Sequence, residues 1–77
     1  DGFGVMTQEE YIFIGFFVKD KKQGKGMMIL STNKVYGEWN NDILYQNTCI
    51  NITKNNYKKI VPFFIGVGKE NNIHIHI

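Results

Sequence analysis

Glycine spacing sets the strongest constraint on this chain, because the pattern returns every 22 residues. Gly2-Phe3-Gly4-Val5-Met6 recurs as Gly24-Lys25-Gly26-Met27-Met28, and Gly15-Phe16-Phe17 recurs as Gly37-Glu38-Trp39. An aromatic meets an aromatic at Phe17 and Trp39. A fixed period in this range marks a repeat architecture. Such arrays offer an extended surface rather than an enclosed catalytic pocket.

The pattern weakens toward the C-terminus. Ser31-Thr32-Asn33-Lys34 is followed at the same offset by Thr53-Lys54-Asn55-Asn56, but the Gly24 and Gly26 positions become Gln46 and Thr48. Gly68-Lys69 returns in step with Gly24-Lys25, with Glu70 in place of the second glycine. The expected organisation of residues 1–77 is one array: a half repeat over 1–14, a repeat over 15–36, a degenerate repeat over 37–58 and a terminal remnant over 59–77. Atypical end repeats are normal in arrays. The start at Asp1, in mid-repeat, suggests a piece of a longer chain.

Helix formers are scarce: there is no alanine, and β-branched and aromatic residues fill the apolar segments. Strands are predicted over 4–7, 11–18, 26–30, 35–40, 43–45, 48–52, 57–61, 63–67 and 73–77. Polar turn clusters separate them at 19–24, 31–34, 40–42, 53–56 and 68–72. Short, evenly spaced strands predict an antiparallel meander of hairpins. Gly15 and Gly37 fall inside strands, each two residues before a ring and therefore on its face. A ring from one repeat is expected to lie over the vacant glycine site of a neighbouring strand.

Composition narrows the class. A hydrophobic share of 43% excludes a simple disordered tail, and 77 residues allow one small domain. The single cysteine, Cys49, excludes an internal disulfide and fits a reducing, cytoplasmic setting. The longest apolar run, Tyr11 to Val18, has the length of a strand and not of a membrane span. A net charge of +2 is too small to argue for nucleic acid as a partner. All nine basic residues are lysines, in a composition rich in Ile and Asn that resembles AT-rich coding.

Tyr36-Gly37-Glu38-Trp39-Asn40-Asn41 and Lys21-Lys22-Gln23-Gly24-Lys25-Gly26, with the preceding Gly15-Phe16-Phe17, resemble the MORN repeat (membrane occupation and recognition nexus). The likeness runs mainly from Gly2 to Asp42. Val35 stands where the family has tyrosine, Phe17 replaces tryptophan, and the period is one residue short. The resemblance implies an all-β fold: an elongated, single-layer antiparallel meander of stacked hairpins. It also implies a non-catalytic scaffold that binds other protein chains in a cytoskeletal or ciliary assembly, without cofactors. The family's proposed contact with anionic membrane phospholipid supplies an alternative.

Candidate sites follow. Phe16, Phe17, Tyr36 and Trp39 are the expected packing or partner-binding anchors, since aromatics dominate interface energetics. The strand 11–18 is apolar on both faces, Tyr11, Phe13 and Phe17 on one and Ile12, Ile14, Phe16 and Val18 on the other. The second face therefore needs a cover from another element or another chain. Lys19, Lys21, Lys22 and Lys25 form a hairpin loop that could meet anionic lipid at about 1 kcal/mol per lysine, although lysines also protect sheet edges. His74 and His76 share one face of 73–77; a half-buried strand with polar residues outward outweighs a metal site there. Asn51-Ile52-Thr53 is a glycosylation sequon with no other sign of secretion. No carboxylate pair, nucleophile elbow, phosphate loop or Cys/His cluster suggests an enzyme.

Overall fold

Four glycines stand side by side across the sheet. In the computed structural model, which describes residues 1–76, Gly4 pairs with Gly15, Gly15 with Gly26 and Gly26 with Gly37. They belong to β1 (Gly2–Thr7), β2 (Tyr11–Val18), β3 (Lys21–Leu30) and β4 (Lys34–Asn40), an antiparallel meander in chain order. Two short strands, β5 (Ile43–Leu44) and β6 (Ile50–Asn51), pair with β4 on either side of a 3-10 turn at Gln46–Thr48. The fold closes with α1 (Tyr57–Glu70).

Turn chemistry joins the strands. Lys19 and Asp20 both have positive φ (52° and 65°), as do Asn41 and Asp42 (51° and 72°). Two-residue loops in this conformation match the right-handed twist of the flanking strands. The 19–20 loop is shorter than the predicted 19–24 segment, because β3 already begins at Lys21. Register slips between Gly15 and Phe17, where β3 carries extra residues and Gly24 adopts φ 90°. A glycine admits that left-handed turn within a bulge without a Cβ penalty.

One sheet face is lined by Phe13, Phe17 and Trp39, and Phe13 and Trp39 lie against Gly26. A Cβ at Gly26 would fall within 2.5 Å of Phe13 Cε1 and 3.1 Å of Trp39 Cδ1. One at Gly15 would meet the Gly26 Cα and the Lys25 carbonyl at 2.7 Å, so these strands approach as closely as glycine allows. A ring lies over a vacant glycine site at Gly26, where the ring is Phe13 with Trp39 beside it, whereas the Gly37 site is filled by Leu44 and Thr48.

The helix corrects the all-β expectation. Strands predicted at 57–61 and 63–67 are one helix running through Pro62. Val61, Phe64 and Gly68 are buried, and Ile60 and Ile65 pack beside them. That spacing marks one face of a helix rather than one face of a strand. Residues with strand preference form a helix here because packing against the sheet overrides a weak local propensity. Ile14, Met27, Val61 and Phe64 make the core, with Phe3, Ile29, Tyr36, Ile52 and Ile75 around it. Complete burial of Phe64 alone stabilises by about 1.5–3 kcal/mol.

The molecule is therefore two layers over its covered face, not an elongated single layer, and measures 33 × 27 × 23 Å. On the second face of 11–18 the chain's own helix covers Ile14, while Phe16 is half-buried and Ile12 and Val18 stay exposed. After α1, Asn72 turns with φ 58° and the Ile73 N–H donates to the Gly68 carbonyl at 2.7 Å. The predicted strand over 73–77 pairs with nothing among the described residues, and Ile77 lies outside them. Its alternation persists nonetheless: Ile73 and Ile75 turn inward, while His74 and His76 are exposed.

Candidate functional site

The two sheet faces divide the predicted anchors between them. On the glycine face, Phe17 stacks on Phe13 at 5.4 Å and Trp39 meets Phe13 edge-on at 5.1 Å. The Trp39 Nε1–H donates to the Gly26 carbonyl at 3.4 Å. On the helix face, Phe16 meets Phe3 edge-on at 5.2 Å and Tyr36 meets Phe64 at 5.7 Å. Phe16, Phe17, Tyr36 and Trp39 thus serve two separate clusters. Phe13 and Phe64, both fully buried, are the centres of those clusters, and sequence reading did not single them out. The signal for Phe13 was its place two residues before Gly15, the same spacing used for Phe17 in reverse.

The four predicted lysines do not form one patch. Lys19 is exposed in its turn. Lys21 is exposed and pairs with Asp42 at 4.0 Å. Lys22 is buried: its ammonium lies 5.3–5.6 Å from the Tyr11, Phe13 and Trp39 ring centres, 3.4 Å from the Tyr11 hydroxyl and 3.7 Å from Asp42 Oδ1. Its stem covers the rings while its charge meets their faces and a carboxylate. Lys25 points to the opposite face, over Phe63 at 5.1 Å. Strand alternation separates Lys22 from Lys25, an effect invisible when 19–25 is read as a loop.

Asp42 fastens this corner. Its Oδ1 accepts the Lys22 backbone N–H at 2.8 Å, and its own N–H donates to the Lys22 carbonyl at 3.0 Å. That backbone hydrogen bond, aided by the Lys22 and Lys21 charges, holds its carboxyl below the usual carboxylate range. Burial against α1, with the Glu38 charge adding, raises the Tyr36 hydroxyl above its ordinary value.

The two sheet edges differ. Along β4, the Tyr45 N–H donates to the Glu38 carbonyl, Thr48 Oγ1 accepts the Glu38 N–H at 2.9 Å, and the Ile52 N–H donates to the Lys34 carbonyl. That edge is closed by the chain itself, with Thr48 bonded to the Glu38 N–H. The outer edge of β1 has no strand beside it among the described residues. A groove of about 300 Å³ lies over the β1–β2 pair, lined by Asp1, Gly2, Gly4, Met6, Phe17 and Asp20. A separate cavity of about 510 Å³ at the start of α1 is lined by Lys34, Ile52, Thr53, Lys54, Tyr57 and Lys58.

Among the described residues, no group of three or more His, Cys, Asp or Glu side chains is placed to hold a metal ion, and no helix is long and apolar enough to cross a membrane. No protein-family model matches the sequence, and neither curated proteins nor solved structures yield a match.

Proposed function

We propose that this chain is a MORN-type β-hairpin module that holds protein partners within a larger assembly, cytoskeletal or ciliary in setting, and performs no catalysis of its own. One observation carries the reading: a turn hydrogen bond recurs at the repeat spacing. The Lys19 N–H donates to Asp1 Oδ1, and the Asn41 N–H donates to Gln23 Oε1. Both donor and acceptor are displaced by the same 22 positions.

Backbone geometry follows the same offset. Gly2 and Gly24 have φ 91° and 90°, and the left-handed turn pairs Lys19-Asp20 and Asn41-Asp42 correspond residue for residue. These features support two structurally equivalent hairpins over the stretch where the sequence resembles the family. The recurring side chains, glycines and rings, hold one hairpin against the next. They leave the sheet edge and the rim for binding. The lipid alternative rested on four lysines acting together, and Lys22 and Lys25 have left that group.

Purification of the tagged chain at native abundance, followed by native mass spectrometry, tests the reading. Protein partners in fixed stoichiometry are expected. A chain recovered alone, or with lipid only, would overturn it.

A further inference from the structure

Gly4 occupies the same place in its strand as Gly26, yet only one of the two sites is filled. At Gly26 the vacancy is closed by the Phe13 ring from the preceding strand and flanked by Trp39. At Gly4 an added Cβ would find nothing within 4 Å. The helix-side neighbours differ in the same sense. Met27 is fully buried beside Gly26, whereas Val5, its counterpart, is 44% exposed. Among the described residues, the outer edge of β1 therefore carries an unpaired backbone ladder, an empty ring seat and an uncovered apolar side chain, all within three residues.

We infer that this edge takes up an extended segment of a protein partner, antiparallel to β1, carrying an aromatic residue, one intervening residue and a glycine. The inference rests on the reading of the chain as a protein-holding module and names where and what it holds. Its geometry is fixed by a template within the same sheet. Against β3, β2 places Gly15 opposite Gly26, Ile14 opposite Met27 and Phe13 opposite Met28. Transferred to β1, the partner's glycine faces Gly4, its middle residue faces and covers Val5, and its aromatic residue faces Met6 with the ring over Gly4. Main-chain hydrogen bonds supply affinity in such strand addition, and the pockets for alternate side chains supply selectivity.

Charge complements the register. Asp1 and Asp20 flank the Gly2 end of the groove. In uninterrupted antiparallel register, a lysine or arginine three residues after the partner's glycine comes abreast of Asp1. The partner chemistry is thus an aromatic-x-glycine strand with a trailing basic residue.

A synthetic peptide copying residues 11–22, with lysines added at its N-terminus for solubility, is the probe. Titration into the isotope-labelled chain should shift β1 resonances and newly protect β1 amides from exchange. Replacing the peptide's copy of Phe13 by alanine should weaken binding by about tenfold or more. Gly4→Val fills the seat at a site with open space, so it should leave thermal stability unchanged and abolish peptide binding. Equal binding of the alanine peptide, or undiminished binding to Gly4→Val, would overturn the inference. So would resonance changes spread over β2 to β4, which would mean displacement of β2. Concentration-dependent dimerisation removed by Gly4→Val would assign the edge to a second copy instead and overturn it too. If protein partners recovered with the native chain remain bound to Gly4→Val, the scaffold reading stands and this edge is not the site.

Discussion

Gly26→Ala is the sharpest probe of how this sheet is held together. The added methyl group would sit within 2.5 Å of Phe13 Cε1, whereas carbon atoms in ordinary contact stand about 3.5–4 Å apart. The ring would have to retreat by about 1 Å or more. It has nowhere to go, because Phe13 is fully buried with Phe17 at 5.4 Å on one side and Trp39 at 5.1 Å on the other. Overpacking of this kind costs about 1–3 kcal/mol. Restricting the unfolded chain returns about 0.4–1 kcal/mol. The expected net loss is about 1.3 kcal/mol, or roughly 5–10 °C in melting temperature for a domain of this size. Gly4→Ala is the matched control, since the same methyl group meets open space there. It should be neutral or stabilising by up to about 1 kcal/mol. Urea denaturation of both variants decides the matter. Stability of Gly26→Ala at or above the parent, or an equal loss in both variants, would refute ring-over-glycine packing as the organising contact.

Four further outcomes are expected. Phe64→Ala should cost about 3–5 kcal/mol in urea denaturation, because it empties the fully buried centre between α1 and the sheet. Trp39→Ala should cost about 3–5 kcal/mol by the same measurement, and a loss below about 1 kcal/mol would remove Trp39 from the core. The lowered Asp42 pKa contributes stability that is present above its ordinary value of 3.8 and lost as pH falls through the folded value. Denaturation between pH 5 and about 2 should therefore show an acid-side loss that Asp42→Asn flattens. The raised Tyr36 pKa acts at the other end: stability should fall as pH rises past 10, and Tyr36→Phe should remove that part of the alkaline loss, read alongside the phenolate absorbance.

Much of the meander was legible because its determinants are local. Loop residues able to adopt positive φ sit at Lys19-Asp20 and Asn41-Asp42, and alternation assigned Phe13 and Ile14 to opposite faces. The helix was not legible. Tyr57 to Val67 is rich in residues with strand preference and is interrupted by Pro62, so propensity and punctuation both suggested two strands. The helical spacing of Val61, Phe64 and Gly68 was available, but it only wins once a sheet face exists to receive it. The placement of the lysines was not legible for a related reason. A segment read as loop has no faces, whereas β3 sends Lys22 under the rings and Lys25 toward Phe63.

The spacing of glycines and rings marked, by itself, the strand segments and the positions without a Cβ, since a missing Cβ is a property of one residue and its effect is steric. Which ring fills which vacancy, which face receives α1 and which edge stays open were decided only in three dimensions. Those outcomes depend on contacts between residues far apart in the chain: Phe13 over Gly26, Phe64 against Tyr36, and Thr48 closing β4 while β1 has no neighbour.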